Sequence, residues 1–278
     1  MSYQAILVHA CQSASAQARY RLAAAIALAE GARLTGVALS GATDFIYRCG
    51  AAGAMMPIGP DDLTFLTDNA KRDLAAFEEA AHAAGVVSVD ARLGDETALH
   101  ALPLEARYCD LLVIGQSISP AAIVADDNSL ARSVLLHAPC PVLVVPSDAL
   151  GTGVPARPLI AWDGSMEASR AVRAALPLLQ RAGSVTAVSF HPQKFHADDN
   201  AAGRHLAAYL ACHGIAVELL GPTYASNVGH ALLTLATARA HDLIVMGSFG
   251  HSRFREIMLG GVTESVLAES TVPVLTSH

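Results

Sequence analysis

The sequence predicts an α/β fold of two tandem domains, each a five-stranded parallel sheet with helices on both faces. Two observations carry this prediction. Short apolar runs, such as residues 111–115 and 243–247, alternate with segments of helical pattern, as in parallel sheets buried on both sides. The same order of runs occurs twice within 278 residues, a length that suits two domains of ordinary size.

The two copies match most clearly at their C-terminal ends. Residues 109–145 and 241–276 align without a gap, with matched residues 132 positions apart. The first strands of the copies also match, and a stretch rich in Gly, Pro and Ala at residues 147–158 is typical of a linker. We therefore predict domains at residues 1–147 and 156–278.

Capping residues place the helices of the first half. Ser13 or Ser15 can cap the first helix, and Gly31 ends it. Pro60 opens the second helix, which ends before Gly85. In chain order the predicted elements are strand 5–10, helix 13–30, strand 33–39, helix 60–84, strand 86–93, helix 96–107, strand 111–115, helix 129–137 and strand 141–145.

The second half repeats this order. Its predicted elements are strand 159–162, helix 166–180, strand 184–190, helix 199–213, strand 216–220, helix 227–240, strand 243–247, helix 263–269 and strand 272–276. The last strand of each half carries a proline at its start, which suits the edge of a sheet. Because exposed apolar edges of similar sequence pair readily, we expect residues 141–145 and 273–276 to join the halves pseudo-symmetrically.

Glycines mark the carboxyl end of the fourth strand of the second half. Gly247 ends the apolar run, Gly250 follows, and Gly260 and Gly261 stand before a predicted helix. Glycines let a backbone approach a ligand closely, and helix N-termini attract anions, so this pattern predicts a phosphate cradle. Ligands of open α/β sheets bind beyond the carboxyl ends of the strands, so we expect Asp163, after the first strand, to lie across a crevice from Gly247.

These residues resemble the universal stress protein family. The pattern Gly247-x2-Gly250-x9-Gly260, followed by a helix and a VPVL strand, is similar to that family's glycine motif. The WDGS segment at residues 162–165 resembles the family's turn after the first strand. The resemblance covers both halves and implies two Rossmann-like domains of the adenine nucleotide alpha hydrolase-like type.

The resemblance implies ATP as the cofactor, with or without Mg²⁺. In the family, the glycine motif binds phosphates and ribose, and the aspartate contacts adenine. Carried over to this chain, the implied binding residues are Asp163, Gly247, Gly250, His251, Gly260 and Gly261. Gly261 departs from the family's usual Ser or Thr, so one hydroxyl contact worth about 1.5–3 kcal/mol is lost and ATP is held less tightly.

The first half departs further from the family pattern. Cys11 replaces the aspartate, Ile118 stands at the position matching Gly250, and Asn128 and Ser129 replace the paired glycines. A branched apolar side chain at position 118 obstructs the close backbone approach that a phosphate needs. We predict that the first half binds no nucleotide and serves as the structural partner of the second.

Composition restricts the classes of partner. The net charge of −7 argues against nucleic acid. No apolar run approaches the roughly 20 residues that span a bilayer, and the N-terminus has no basic region ahead of its apolar run. We therefore expect a cytoplasmic protein with neither a nucleic acid nor a membrane partner.

An insertion at residues 40–62 lengthens the first half and is rich in Gly, Ala and Met. A mobile loop over apolar surface is the favoured interpretation, and an oligomer or partner contact is the alternative. Cys49 lies within it and is expected to be exposed. The chain has five cysteines without CxxC spacing, which predicts reduced and mostly buried thiols.

Histidines raise the question of a metal site. The densest group contains His191, His196, Asp198 and His205, but it has neither HExxH nor Cys/His zinc spacing. Solvated surface histidines are the favoured interpretation, so no metal site is predicted. His251 differs, because it lies within the glycine motif.

The sequence thus favours a tandem universal stress protein that acts as an ATP-binding stress-response or signalling module, with the nucleotide in the second half. Two alternatives stay open: a protein-interaction module without nucleotide, and a weak ATP hydrolase. No GxSxG elbow, Walker lysine or GxGxxG fingerprint occurs, so no catalytic residue is predicted. The expected partners are an adenine nucleotide, an unidentified protein and the chain's own second half, with homodimerisation left open.

Overall fold

A computed structural model describes residues 2–51, 59–116, 127–147, 149, 153–191, 200–248 and 260–278. The first half contains β1 (Ala5–His9), α1 (Ala16–Glu30), β2 (Arg33–Leu39), α2 (Ala42–Ala51), α3 (Pro60–Ala83), β3 (Val89–Gly94), α4 (Ala98–Glu105), β4 (Leu111–Gly115), α5 (Asp127–His137) and β5 (Val142–Val145). The second half contains β6 (Pro158–Ala161), α6 (Met166–Arg181), β7 (Val185–His191), α7 (Asn200–Cys212), β8 (Val217–Tyr224), α8 (Val228–Ala238), β9 (Leu243–Gly247), α9 (Gly260–Glu269) and β10 (Val274–Ser277).

Within the described residues, all ten strands form a single sheet in the order β3-β2-β1-β4-β5-β10-β9-β6-β7-β8. Strands within each half are parallel, so the predicted α/β class and tandem parallel sheets are confirmed. In the first half the strand order reverses between β1 and β4, and in the second half it reverses between β6 and β9.

The halves meet along β5 and β10, as the sequence predicts. These two strands pair antiparallel, with Leu143 opposite Leu275 and Val144 opposite Val274. Beside this junction the side-chain amide of Gln116, just past β4, donates hydrogen bonds to two carbonyls at the end of α9, the nearer at 2.6 Å. Backbone pairing and side-chain bonds therefore both cross between the halves.

The two faces of the sheet are packed differently. One face carries α1, α3, α6 and α7 over an apolar core that is continuous across both halves. The other face has two clusters, one under α4 and α5 and one under α8 and α9. In the part of the chain that the structure describes, no helix is long and apolar enough to cross a membrane.

Several predicted boundaries need correction. Part of the insertion predicted as a mobile loop is a helix, α2, and Cys49 within it is half-buried rather than exposed. Strand β3 begins at Val89, where its pairing with Leu34 of β2 starts, three residues later than predicted, and Val87 is 96% exposed. Helix α9 begins at Gly260 rather than residue 263. Its two glycines therefore lie within its first turn.

Candidate functional site

The crevice of the second half lies where the strand order reverses. Strands β6 and β9 are hydrogen-bonded neighbours in parallel register, with Ile160 opposite Val245. Their carboxyl ends therefore lie side by side at one edge of the sheet. The structure brings Asp163, just past β6, and Gly247, the last residue of β9, to this edge. In open α/β sheets this is where ligands bind.

Local hydrogen bonds hold the loop that carries Asp163. Its Oδ1 accepts a hydrogen bond from the backbone N–H of Ser165 at 2.9 Å, and Gly164 between them has a left-handed φ of 77°. Ser165 then caps α6, because its Oγ accepts from the N–H of Ala168 at 3.1 Å. Asp163 itself is exposed, so a ligand in the crevice can reach its carboxylate.

Gly247 is required by packing on its α6 side. A Cβ at this position would stand 2.5 Å from the backbone nitrogen of Ala168 and 2.7 Å from the carbonyl carbon of Glu167. Both are backbone atoms that cannot move aside independently. The glycine therefore lets the first turn of α6 lie directly against the end of β9.

Gly260 and Gly261 are the first two residues of α9. The first amides of a helix have no intrahelical acceptor, so this turn presents free N–H groups and the positive end of the helix dipole. Gly261 is exposed, and among the described residues no heavy atom outside its own turn lies within 4 Å of the position a Cβ would take. Gly250 and His251 lie outside the described residues.

The corresponding place in the first half is organised around a buried arginine that sequence reasoning missed. Arg19 of α1 is fully buried. Its guanidinium donates to the carbonyl oxygen and Sγ of Cys11 at 2.9 and 3.3 Å, and to the hydroxyls of Ser13 and Ser15, both at 3.2 Å. A Cβ on Gly115 would collide with this guanidinium.

The contacts with Arg19 change the roles predicted for Ser13, Ser15 and Cys11. Neither serine side chain caps α1, although Ser15 stands at the N-cap position. Cys11, at the position of Asp163, offers a thiol tied to arginine instead of a free carboxylate. Ile118 lies outside the described residues. Asn128 and Ser129 lie within α5, and only their backbone is described.

Burial also changes the protonation of neighbours of Arg19. His9, at the end of β1, is buried, and burial together with the Arg19 charge lowers its pKa to about 3. Desolvation raises the pKa of Asp73, an effect that Arg19 partly opposes. His9 is therefore neutral at physiological pH and adds no charge beside the guanidinium.

Glu167 is a second feature that the sequence did not single out. It follows the N-cap serine of α6, is 4% exposed, and its Oε1 has no hydrogen-bond partner among the described residues. An acidic residue in the first turn suits the helix dipole, but that pattern does not signal burial. The main chain and Cβ of Glu167 lie directly against Gly247, at the end of β9.

The histidine group provides no described metal site. His205 is exposed on α7, only the backbone of His191 is described, and His196 and Asp198 lie outside the described residues. Among residues with described side chains, no three His, Cys, Asp or Glu residues cluster closely enough to hold a metal ion.

Comparison with known proteins identifies a family whose model matches this chain. The model of the universal stress protein family matches residues 2–146 and again residues 157–278. A universal stress protein from Archaeoglobus fulgidus has a similar structure, with a TM-score of 0.76 and 19% identity over 98% of this chain and 94% of that one. This likeness shows the fold.

Two relatives match shorter segments. A universal stress protein of Synechocystis is 42% identical over 52 residues, and one of Methanocaldococcus jannaschii is 43% identical over 44 residues. These matches cover 18% and 16% of this chain, and 18% and 27% of those relatives' own lengths. Because the family model matches nearly the whole chain in two successive copies, this chain belongs to the universal stress protein family and contains its domain in tandem.

Proposed function

We propose that the second half binds ATP and that the chain acts as a nucleotide-responsive stress or signalling module. One observation carries the proposal: Asp163 and Gly247 follow adjacent strands at the point where strand order reverses. We further propose residues 1–147 and 156–278 as the two domains, with the second holding the site.

The phosphates fit the first turn of α9. Gly260 and Gly261 present backbone N–H groups without a Cβ, and no described residue outside this turn crowds the position of a Cβ on Gly261. A helix N-terminus of this kind binds anions through its free amides and its dipole. We place the triphosphate here, with Gly250 and His251 as additional contacts, and the adenine toward Asp163.

Features of the first half argue that each chain has only one nucleotide site, in the second half. The guanidinium of Arg19 holds both the carbonyl oxygen and the thiol of Cys11, the residue that stands in place of Asp163. The first half therefore lacks the carboxylate that we assign to adenine. Its role in the proposal is structural, since it supplies β5 as the partner strand of β10.

Calorimetric titration with ATP, with and without Mg²⁺, tests the proposal. We expect one site per chain. Asp163→Ala should weaken binding by about 10- to 150-fold, since a hydrogen bond to a charged group contributes about 1.5–3 kcal/mol. The matched control is Cys11→Ala, which changes the equivalent position of the first half and should leave affinity unchanged.

Two outcomes would contradict the proposal. A stoichiometry of two, or an effect of Cys11→Ala as large as that of Asp163→Ala, would place nucleotide in the first half. Absence of binding heat together with an unchanged melting temperature at millimolar ATP would show that the chain does not bind ATP. Release of phosphate that depends on Asp163 would favour the weak hydrolase.

A protein-interaction module is the second candidate function. Helices α2 and α3 of the first half expose large apolar side chains, with Tyr47 73% and Phe65 63% accessible. Exposed aromatic side chains of this kind are enriched at protein contacts. If ATP binding fails, a changed oligomeric state or partner binding in a Tyr47→Ser/Phe65→Ser variant would support this role.

A further inference from the structure

A pocket of 170 Å³ lies between α6 and α7 of the second half. Its apolar part is formed by Val172 and Leu206, and Trp162 and Tyr209 add aromatic rings. Ser169, Arg173 and His205 supply polar groups. None of these seven described lining residues is acidic.

This pocket lies on the opposite face of the sheet from α9. Trp162 directly follows β6, and its backbone N–H continues the ladder by donating to Val188 at 2.9 Å. Its side chain packs with the core under α6 and α7, whereas the preceding residue, Ala161, packs with the cluster under α8 and α9. Side chains alternate between faces along a strand, so the pocket and the first turn of α9 are separate.

The corresponding region of the first half is filled. There α1 and α3 pack through Tyr20 and Phe77, whose rings meet edge to face with centroids 5.7 Å apart. Both rings are buried, at 2% and 0% exposure. The second half therefore keeps a cavity between the equivalent helices where the first half has aromatic packing.

The size and lining of the pocket restrict its ligand. Apolar protein cavities of about 150 Å³ accept a benzene ring, so 170 Å³ holds one ring and a small substituent. Trp162 and Tyr209 can pack against such a ring.

The positive charge of Arg173 at the pocket favours an anionic ligand. Arg173 is exposed at the pocket, and its guanidinium makes no hydrogen bond or ion pair with the described part of the chain. A guanidinium pairs with a carboxylate through two parallel hydrogen bonds. We propose that this pocket binds a monocyclic aromatic carboxylate, with the ring between Trp162 and Tyr209 and the carboxylate on Arg173. This second site is independent of the proposed nucleotide site.

The chain provides its own probe, because Trp162 is the single tryptophan. Titration of the full chain with benzoate should change tryptophan emission saturably and raise the melting temperature. Benzamide, which has the same shape without the charge, should bind about tenfold more weakly or worse. Equal responses to benzoate and benzamide, or a change that never saturates, would overturn the proposal.

Two arginine variants locate the carboxylate. Arg173→Gln should weaken benzoate binding by about tenfold or more. Arg170→Gln is the matched control, because Arg170 is also exposed on α6 but does not line the pocket. The affinity of this variant for benzoate should stay within about twofold of wild type. Equal affinities of the two variants would overturn the assignment of Arg173.

Saturating ATP separates this site from the nucleotide site. Because the pocket lies on the other face of the sheet from α9, ATP should not displace benzoate. Competitive displacement would show a shared site and overturn the inference. If ATP does not bind at all, the benzoate titration still decides the inference without it.

Discussion

Arg132 of α5 and Glu264 of α9 form an ion pair, with Nη1 and Oε1 3.0 Å apart, and the two residues are 132 positions apart. They therefore occupy the same position in the two repeats. At a two-fold axis a residue near the axis meets its own equivalent, so identical halves would bring like charges together here. The opposite charges at this position favour pairing of the first half with the second.

Reversing one of these charges should weaken the junction slightly. Both side chains are more than half exposed, so we expect Arg132→Glu to lower the free energy of unfolding by about 0.5–1 kcal/mol at low salt. Urea denaturation measures this change. The double variant Arg132→Glu/Glu264→Arg should recover most of the loss, and 1 M salt should remove the difference. A double variant less stable than the single one would contradict the pairing.

Gly247 should tolerate a methyl group less well than its repeat equivalent Gly115. In Gly247→Ala the new Cβ meets backbone atoms of α6, and we expect a loss of about 1–3 kcal/mol in the free energy of unfolding. In Gly115→Ala it meets side-chain ends of Arg19 and Ser15, which can move, so the loss should be smaller. Denaturant unfolding of both variants checks the order. A larger loss for Gly115→Ala would contradict it.

Restoring a hydroxyl at position 261 should strengthen the proposed nucleotide site. Among the described residues, no atom outside its own turn lies within 4 Å of a Cβ there, so Gly261→Ser meets no clash with them. A regained hydrogen bond to phosphate corresponds to about 10- to 150-fold tighter ATP binding by calorimetry. Gly261→Ala is the control, because it adds the Cβ without the hydroxyl. If the two variants bind ATP equally, the hydroxyl makes no phosphate contact.

Buried His9 should make stability fall in mild acid. Its pKa is about 3 in the folded chain and near 6.5 when unfolded, so the unfolded chain binds more protons between these values. The contribution of His9 to the free energy of unfolding is therefore complete above pH 6.5 and decreases by about 1 kcal/mol per pH unit as pH falls toward 3. Urea unfolding between pH 7 and 5 measures this slope. The pKa of His241 is also lowered by burial, so some slope should persist in His9→Gln.

His9→Gln should nevertheless have a clearly shallower slope than wild type over this pH range. The comparison uses slopes, so a general loss of stability in the variant does not disturb it. Parallel slopes for the two proteins would show that His9 does not titrate as its burial implies.

The cysteines should differ in reactivity. All five thiols are free in the described chain, and Cys212 is the exposed one. The Cys109 thiol shares a hydrogen bond with the Cys140 thiol, with the two sulfur atoms 3.6 Å apart, and this bond and burial raise the pKa of Cys109. A thiol-specific dye should therefore label one fast site in the native protein and five sites after denaturation. Persistence of the fast site in Cys212→Ser would contradict this assignment.

The sheet could be predicted from the sequence because it depends on long-range patterns. Apolar runs at a fixed offset of 132 residues indicated two equivalent parallel sheets, and Pro141 and Pro273 at the last strands indicated the edges that pair. The same order of strands also predicts that Asp163 and Gly247 lie at the same edge of the sheet. These inferences needed no side-chain detail.

Features that depend on single side chains could not be predicted. Arg19 is an ordinary residue in a helical pattern, and only the folded chain shows that its guanidinium is buried against Gly115. The Gly- and Ala-rich surroundings of α2 are typical of a loop, so the sequence predicts no helix there. The sequence predicts a later start for α9 because paired glycines commonly precede a helix, whereas here they form its first turn.

Joining β5 and β10 within one polypeptide also changes how the assembly responds to dilution. Two separate chains paired along such an edge dissociate as their concentration falls. Here residues 147–158 tether the halves, and a short tether keeps the effective concentration on the order of millimolar at any protein concentration. The paired sheet should therefore persist at expression levels too low to support association of two separate subunits.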